Sequence, residues 1–158
     1  MKAIASILLC LLVSAGAFAD EFKTITTEHT RLDIPAGWHV RQPVPVGLYD
    51  LMSGDYTVSG NLLQEHIAAS QTFDEYYDNS LEDIKNLMSD VEIVEKQANY
   101  HIFTAIMLGF EITELQFFYV HGQVAFILTF ALPEAEFQAN RDLLFTISKT
   151  FTYKQQLK

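Results

Sequence analysis

Histidines and carboxylates have the widest chemical range in this sequence, and their spacing limits what they could do. His29, His39, His66, His101 and His121 never fall two, three or four residues apart. No local motif therefore sets two imidazoles on one face of an element, and a metal or hydrolytic centre would need distant histidines to converge on an acid. Asp74, Asp78 and Glu82 do recur at four-residue spacing, with Glu75 and Asp83 beside them. Such a row could attract a divalent cation such as calcium. Calcium takes about six to eight oxygens, however, and a straight helix face cannot wrap around an ion. Like charges four apart cost only a few tenths of a kcal/mol (roughly 0.2–0.5), so a solvated face is the competing reading. Ser53 and Ser59 precede glycines but lack the G-x-S-x-G elbow of a nucleophilic serine, and the scattered glycines form no phosphate loop. No cofactor, metal or catalytic residue is expected from these patterns.

The aromatic residues carry a stronger signal. Phe117, Phe118 and Tyr119 run consecutively, so a strand there places rings on both faces, with Phe103, Phe110, Phe126 and Phe130 adding more. One reading is a central strand covered on both sides. The other is an apolar surface or groove for a partner or ligand. Trp38, after Gly37, divides the same way between a core anchor and an interface residue. Trp38, Phe117 and Tyr119, with Asp74, Asp78 and Glu82, are the candidate partner or ligand surface.

The elements that must position these residues are legible in outline. Residues 30–34 alternate and end at Pro35-Ala36-Gly37, a short strand closed by a turn. Residues 46–52 and 56–63 flank Ser53-Gly54-Asp55, which predicts a hairpin. Thr72 with Glu75 three residues later is a capping box, and Phe73, Tyr76, Tyr77, Ile84, Leu87 and Met88 form one apolar stripe with Leu81 at its edge, which predicts a helix. Strands follow at 91–95, 102–108, 115–120 and 123–131, with the connection at 109–114 open between a turn and a bulge. Pro133 suits the first turn of a final helix, whose buried stripe is Leu143, Leu144, Ile147 and Phe151 and whose basic end carries Lys149 and Lys154. Consecutive hairpins with helices between them predict an α+β domain: an antiparallel sheet of about six to seven strands flanked by helices.

Composition fixes class and compartment more firmly than activity. Lys2, the apolar run Ala3–Val13 and the small residues ending Ala17-Phe18-Ala19 have the order of a secretory signal peptide. Cleavage after Ala19 would leave residues 20–158 as a single domain, periplasmic or secreted, with Lys2 removed from a balance of 10 basic and 20 acidic residues. That negative charge disfavours nucleic acid and anionic lipid as partners. Cys10, the only cysteine, lies within the apolar run rather than at its end, so neither a lipid anchor nor a disulfide is expected.

Three segments together resemble a known group: LDIPAGWHV at Leu32–Val40, SGNLLQE at Ser59–Glu65 before the capped helix, and NRDLLFTISKTF at Asn140–Phe151. With the order of elements between them, residues 22–153 resemble the PsbP/Mog-like fold, and within it the DcrB-like bacterial family of poorly defined role. The resemblance implies a sheet sandwiched by helices, no catalytic constellation, and a role in binding or assembly. Two features depart from it. Asn99-Tyr100-His101 stands where relatives often carry a glycine, and the exported start differs from the cytosolic chaperones of the group, whose activity does not transfer. The expectation is an exported, non-enzymatic binding or accessory protein, monomeric or weakly dimeric, with an envelope protein or peptide as partner. A carrier of a small apolar ligand or lipid is the alternative, and a His/carboxylate hydrolase the third.

Overall fold

The computed structural model describes residues 21–41 and 47–153; the segment read as a signal peptide, with Cys10, and Lys154 lie outside them. Ten strands and two helices follow the chain: β1 (Phe22–Thr26), β2 (Thr30–Pro35), β3 (His39–Arg41), β4 (Tyr49–Met52), β5 (Ser59–His66), α1 (Phe73–Leu87), β6 (Ser89–Lys96), β7 (Tyr100–Met107), β8 (Phe110–His121), β9 (Val124–Leu132), α2 (Glu134–Lys149) and β10 (Thr152–Tyr153). Seven strands form one antiparallel sheet in the order β3-β4-β5-β9-β8-β7-β6, and β1, β2 and β10 form a second. The α+β architecture and the strand number of the main sheet are as the sequence predicts.

The strand order explains what each helix covers. β5 pairs with β9, although α1 and three strands intervene in the chain. The chain leaves β5, crosses the sheet as α1, starts again at the far edge with β6, and returns strand by strand. α1 therefore lies over the half of the sheet that it bridges. Its stripe is set by sequence: Tyr76, Tyr77, Leu81 and Ile84 are buried, against Phe118, Ala125 and Ile127 near one end and Phe103, Ala105 and Ile112 near the other. On the opposite face, α2 and the small sheet close over the main core, where Leu32, Leu62, Leu115, Leu128, Phe130, Leu144 and Ile147 are fully enclosed.

The α1 capping box is present: the Glu75 amide donates to Thr72 Oγ1 at 3.3 Å, and the Thr72 amide donates to Glu75 Oε2 at 2.8 Å. Both partners satisfy amides that an uncapped helix leaves open. Thr72→Ala is expected to cost about 1 kcal/mol. Urea denaturation checks this, with the midpoint falling and the m-value unchanged.

Local differences from the sequence reading have simple causes. β1 has no inward apolar pattern, with burial confined to partial cover at Ile25, and it exists through its ladder with β2. Of the two readings of the connection at 109–114, the turn holds and the bulge does not, but the turn is only Leu108-Gly109, with φ of +54° and +85°, and β8 begins at Phe110. Positive φ at both positions is what a two-residue hairpin turn of the right twist requires, and leucine is a rare occupant of the first. The predicted hairpin at residue 53 is longer than expected, running from Met52 to Ser59, with Asp55 accepting from Ser53 Oγ (2.6 Å) and Thr57 Oγ1 (2.9 Å).

Candidate functional site

Seven strands spaced about 4.8 Å apart span about 29 Å, whereas one helix is only about 10–12 Å across. A single crossover helix cannot cover such a sheet. The uncovered half of the α1 face, over β3, β4, β5 and the ends of β7, β8 and β9, holds a pocket of about 560 Å3.

Strand alternation decides which side chains reach it. On β8, Leu115, Phe117 and Tyr119 point to the α2 core, so Ile112, Glu114, Gln116 and Phe118 point to the α1 face. Register then lines up one polar row across the whole sheet on that face: Arg41, Asp50, Asn61, Thr129, Gln116, His101 and Lys96, each paired with the next. The adjacent row runs His39, Met52, Ser59, Ala131, Glu114, Phe103 and Ile93. The pocket lies over the β3 to β8 portion of these two rows, with Met107 and Tyr56 at its walls. A second cleft lies along α1 and shares Thr129 with the pocket, with Glu65, His66, Asp83 and Leu87 among its lining.

The polar row is internally bonded at its buried centre. Gln116 Nε2 donates to Glu114 Oε2 at 3.2 Å, and Gln116 Oε1 lies 3.0 Å from His101 Nε2. That arrangement makes His101 Nε2 the protonated nitrogen, because the amide oxygen can only accept. His101 Nδ1 is buried without a partner. Burial holds His101 down to about 4, offset in part by the Gln116 bond, and pushes Glu114 up to about 6, again against its Gln116 bond. Glu114 is 6% exposed, and its second oxygen accepts no hydrogen bond from the described residues. At the open end, Arg41 is tied to Asp50, and His39 stacks on Tyr56 with centroids 5.4 Å apart. Tyr56 is 70% exposed and holds φ at +63°. For a bulky side chain that backbone costs about 1–3 kcal/mol, so the surrounding turn must hold it there.

An exposed apolar tip borders the pocket. Met107 lines it, and at the hairpin turn Leu108 is 92% and Phe110 74% exposed. Leu87, at the end of α1, is exposed two residues before Ser89, which pairs with Ile106.

The residues singled out from sequence are placed otherwise. Trp38 is buried, edge-on to Phe130 at 6.2 Å, and Phe117 is buried between Tyr100 and Phe145. Neither forms a surface, because α2 and the small sheet cover their face. Tyr119 is half-buried on that face, its hydroxyl donating to the Ser148 carbonyl at 2.7 Å and its ring 4.3 Å from Phe151. Asp74, Asp78 and Glu82 are exposed on α1, and Asp78 accepts from Lys96 Nζ at 2.7 Å. No cluster of three or more metal-ligand side chains occurs among the described residues. The five histidines do not gather at one place: His39 lines the pocket, His66 the cleft, His101 is buried under α1, and His29 and His121 each lie against the ring of Tyr153.

Sequence reasoning missed Tyr56, Met107, Leu108 and Glu114, and saw Phe110 only as one more ring. A Leu-Gly turn between two apolar strands was the available signal for the tip. Nothing local marks Glu114 as buried.

This arrangement of an antiparallel sheet with a crossover helix on one face and a helix with a small sheet on the other is the PsbP/Mog-like fold. Solved structures that share it include cyanobacterial PsbP (CyanoP) from Synechocystis, with TM-score 0.62 and 10% identity over 90% of this chain and 98% of that one. The Ran-binding protein Mog1p of Saccharomyces cerevisiae matches at TM-score 0.63 and 11% identity, over 85% of this chain and 96% of its own. LpqN, involved in cell envelope biogenesis of Mycobacterium tuberculosis, matches at 0.56 and 9%, over 85% and 91%. At such identities the likeness is one of fold. No protein-family model and no curated protein matches the sequence. No helix among the described residues is long and apolar enough to cross a membrane.

Proposed function

We propose that this chain is an exported, non-enzymatic binding or accessory protein that holds a protein or peptide partner on the uncovered half of its α1 face. The observation that carries this reading is the hairpin tip, where Leu108 and Phe110 stand in solvent beside an apolar-walled pocket. Exposing large apolar side chains at a turn is unfavourable unless something covers them. The acidic balance of the chain favours a partner that is apolar with basic residues. Two proteins of the same fold lend support: Mog1p is a Ran-binding protein, and LpqN is involved in cell envelope biogenesis. The signal-like start would deliver the chain to an envelope or extracellular partner.

The test is site-specific photo-crosslinking in the native cell, with the probe at Phe110 and, as control, at Asp142 on α2. A discrete adduct from position 110 alone is expected. Leu108→Asp should abolish it while changing stability by no more than about 0.5 kcal/mol, because the side chain is exposed and aspartate tolerates positive φ. Equal adducts from both positions, or none, would contradict the proposal.

The volume of the pocket, about 560 Å3, favours one second reading, a carrier of a small apolar ligand. Native mass spectrometry of protein purified from its own cells separates the two, since a carrier brings mass that denaturation releases.

A further inference from the structure

Glu114 is the one carboxyl group of the uncovered face that is enclosed by protein and also borders an open cavity. Gln116 satisfies one of its oxygens, and the other has no donor among the described residues. An ionised carboxylate in that position is under-solvated, and the missing partner is a donor, best a cationic one. The walls around it are Met107, Ala131 and Met52, which suit an aliphatic stem rather than water. Arg41, the one lysine or arginine among the residues lining the pocket, is already spent on Asp50. The formal charge of the pocket is thus that of Glu114, within a chain of net charge −10.

We propose that this pocket is a subsite for the basic side chain of a partner peptide: the aliphatic stem lies along Met107 and Met52, and the ammonium donates to Glu114. The proposal rests on the peptide-docking reading above and supplies the chemistry of its anchor. Its pH dependence follows from Glu114, which burial pushes up to about 6, so the carboxylate is formed at pH 7.5 and mostly protonated at pH 5. Charged and titratable groups that face this region from the packed elements are His101 on β7, Asp50 on β4, His39 and Arg41 on β3, and Asp83 on α1. Glu114→Gln separates its own titration from theirs.

The experiment is an amide-resolved NMR titration with acetyl-Leu-Lys-Leu-amide against acetyl-Leu-norleucine-Leu-amide, which differs in the ammonium alone. At pH 7.5 the lysine peptide is expected to bind at least tenfold more tightly, with shifts at Asn61, Met107 and Thr129. Glu114→Gln should remove that tenfold preference while the norleucine peptide binds as before, and the preference should fade as the wild type is taken to pH 5. Equal binding of the two peptides at the pocket overturns the cation subsite and leaves the docking face standing. A lysine preference that survives Glu114→Gln, or no binding of either peptide, also overturns it. n-Butylammonium binding more tightly than the lysine peptide overturns its assignment to a side chain. The crosslinking at position 110 decides the docking face independently, because it does not pass through Glu114.

Discussion

Phe118→Ala is expected to destabilise the protein by about 3–5 kcal/mol, whereas Phe110→Ala should cost less than about 0.5 kcal/mol. Both are phenylalanines on β8, and the difference lies in what surrounds them. Phe118 is buried at the meeting point of α1 and the sheet: its ring is 4.8 Å from Tyr77, edge-on, 5.2 Å from His101, 6.4 Å from Phe73 and 6.5 Å from Tyr76. Truncation removes the apolar transfer gain and leaves a cavity walled by three α1 rings and a histidine that cannot all collapse inward. α1 also has few other tethers on this side, chiefly Tyr76 to Glu65 at 2.7 Å and Tyr77 to the Tyr100 carbonyl at 2.8 Å. Loss of Phe118 should therefore loosen the helix itself, and near-ultraviolet dichroism from Tyr76 and Tyr77 should weaken before the sheet unfolds. Phe110 has no ring neighbour within contact and is mostly in solvent, so the cost of its removal falls on binding. Urea denaturation of the two variants measures the contrast. A loss under about 1 kcal/mol for Phe118→Ala would show that α1 is held by something other than this ring.

That contrast also marks the boundary of what the sequence discloses. Three consecutive aromatics on β8 leave a strand covered on both faces and an apolar surface both open, and the structure has the covered strand: Phe117 and Tyr119 lie under α2, Phe118 under α1. The α1 helix is legible to the residue at its start, since a capping box and an i, i+3, i+4 stripe are local properties. Pro133 likewise marks the entry to α2, standing at the cap one residue before the helix begins. What is not legible is anything that depends on register or topology. The row from Arg41 to Lys96 draws one residue from each of seven strands, and a one-residue slip in any pairing would scatter it. Glu114 sits within an ordinary alternating strand, and only the path of α1, which stops short of β3, turns it into the wall of a pocket. The misplaced surface has the same origin. Trp38, Phe117 and Tyr119 are chemically suited to an interface, but their face is the one that α2 and the small sheet close. Tyr56 and Phe110, of the same chemistry, lie where no element passes.

The stability of the wild type is expected to change little between pH 6 and pH 4.5, because two buried groups titrate there with opposite sign. His101 is neutral in the folded state down to about 4, whereas the unfolded chain takes up its proton near 6.5. The unfolded state therefore binds more protons across that interval, and stability falls as pH falls, by up to about 3 kcal/mol. The structural reason is specific: His101 Nε2 already faces Gln116, and a second proton would sit on Nδ1, buried among Tyr77, Phe103 and Phe118 with no acceptor. Glu114 runs the other way. Its folded value near 6 exceeds the unfolded value of about 4.5, so the folded state binds more protons between them, and stability rises as pH falls, by up to about 2 kcal/mol. Glu114→Gln removes that rise. The variant should be more stable than the wild type at pH 7.5 by up to about 2 kcal/mol, and should lose stability steeply from pH 6.5 to 4. His101→Gln, which keeps a donor for Gln116, should show the reverse, gaining stability as pH falls from 6 to 4.5. Asp55, Glu75, Glu95 and Glu134 are held below their ordinary values by hydrogen bonds, so their stabilisation begins to fall away as pH drops through the ordinary carboxyl range, a loss common to the three proteins that cancels when their profiles are compared. Urea midpoints of the three proteins at half-unit steps of pH provide the check, and parallel profiles for wild type and Glu114→Gln would refute the assignment. A carboxyl group whose ionisation destabilises the fold at neutral pH, and which a conservative change would relieve, is the pattern of a residue kept for binding rather than for folding. On that argument, the stability that Glu114→Gln gains and the lysine-peptide affinity that it loses are two readings of the same under-solvated oxygen.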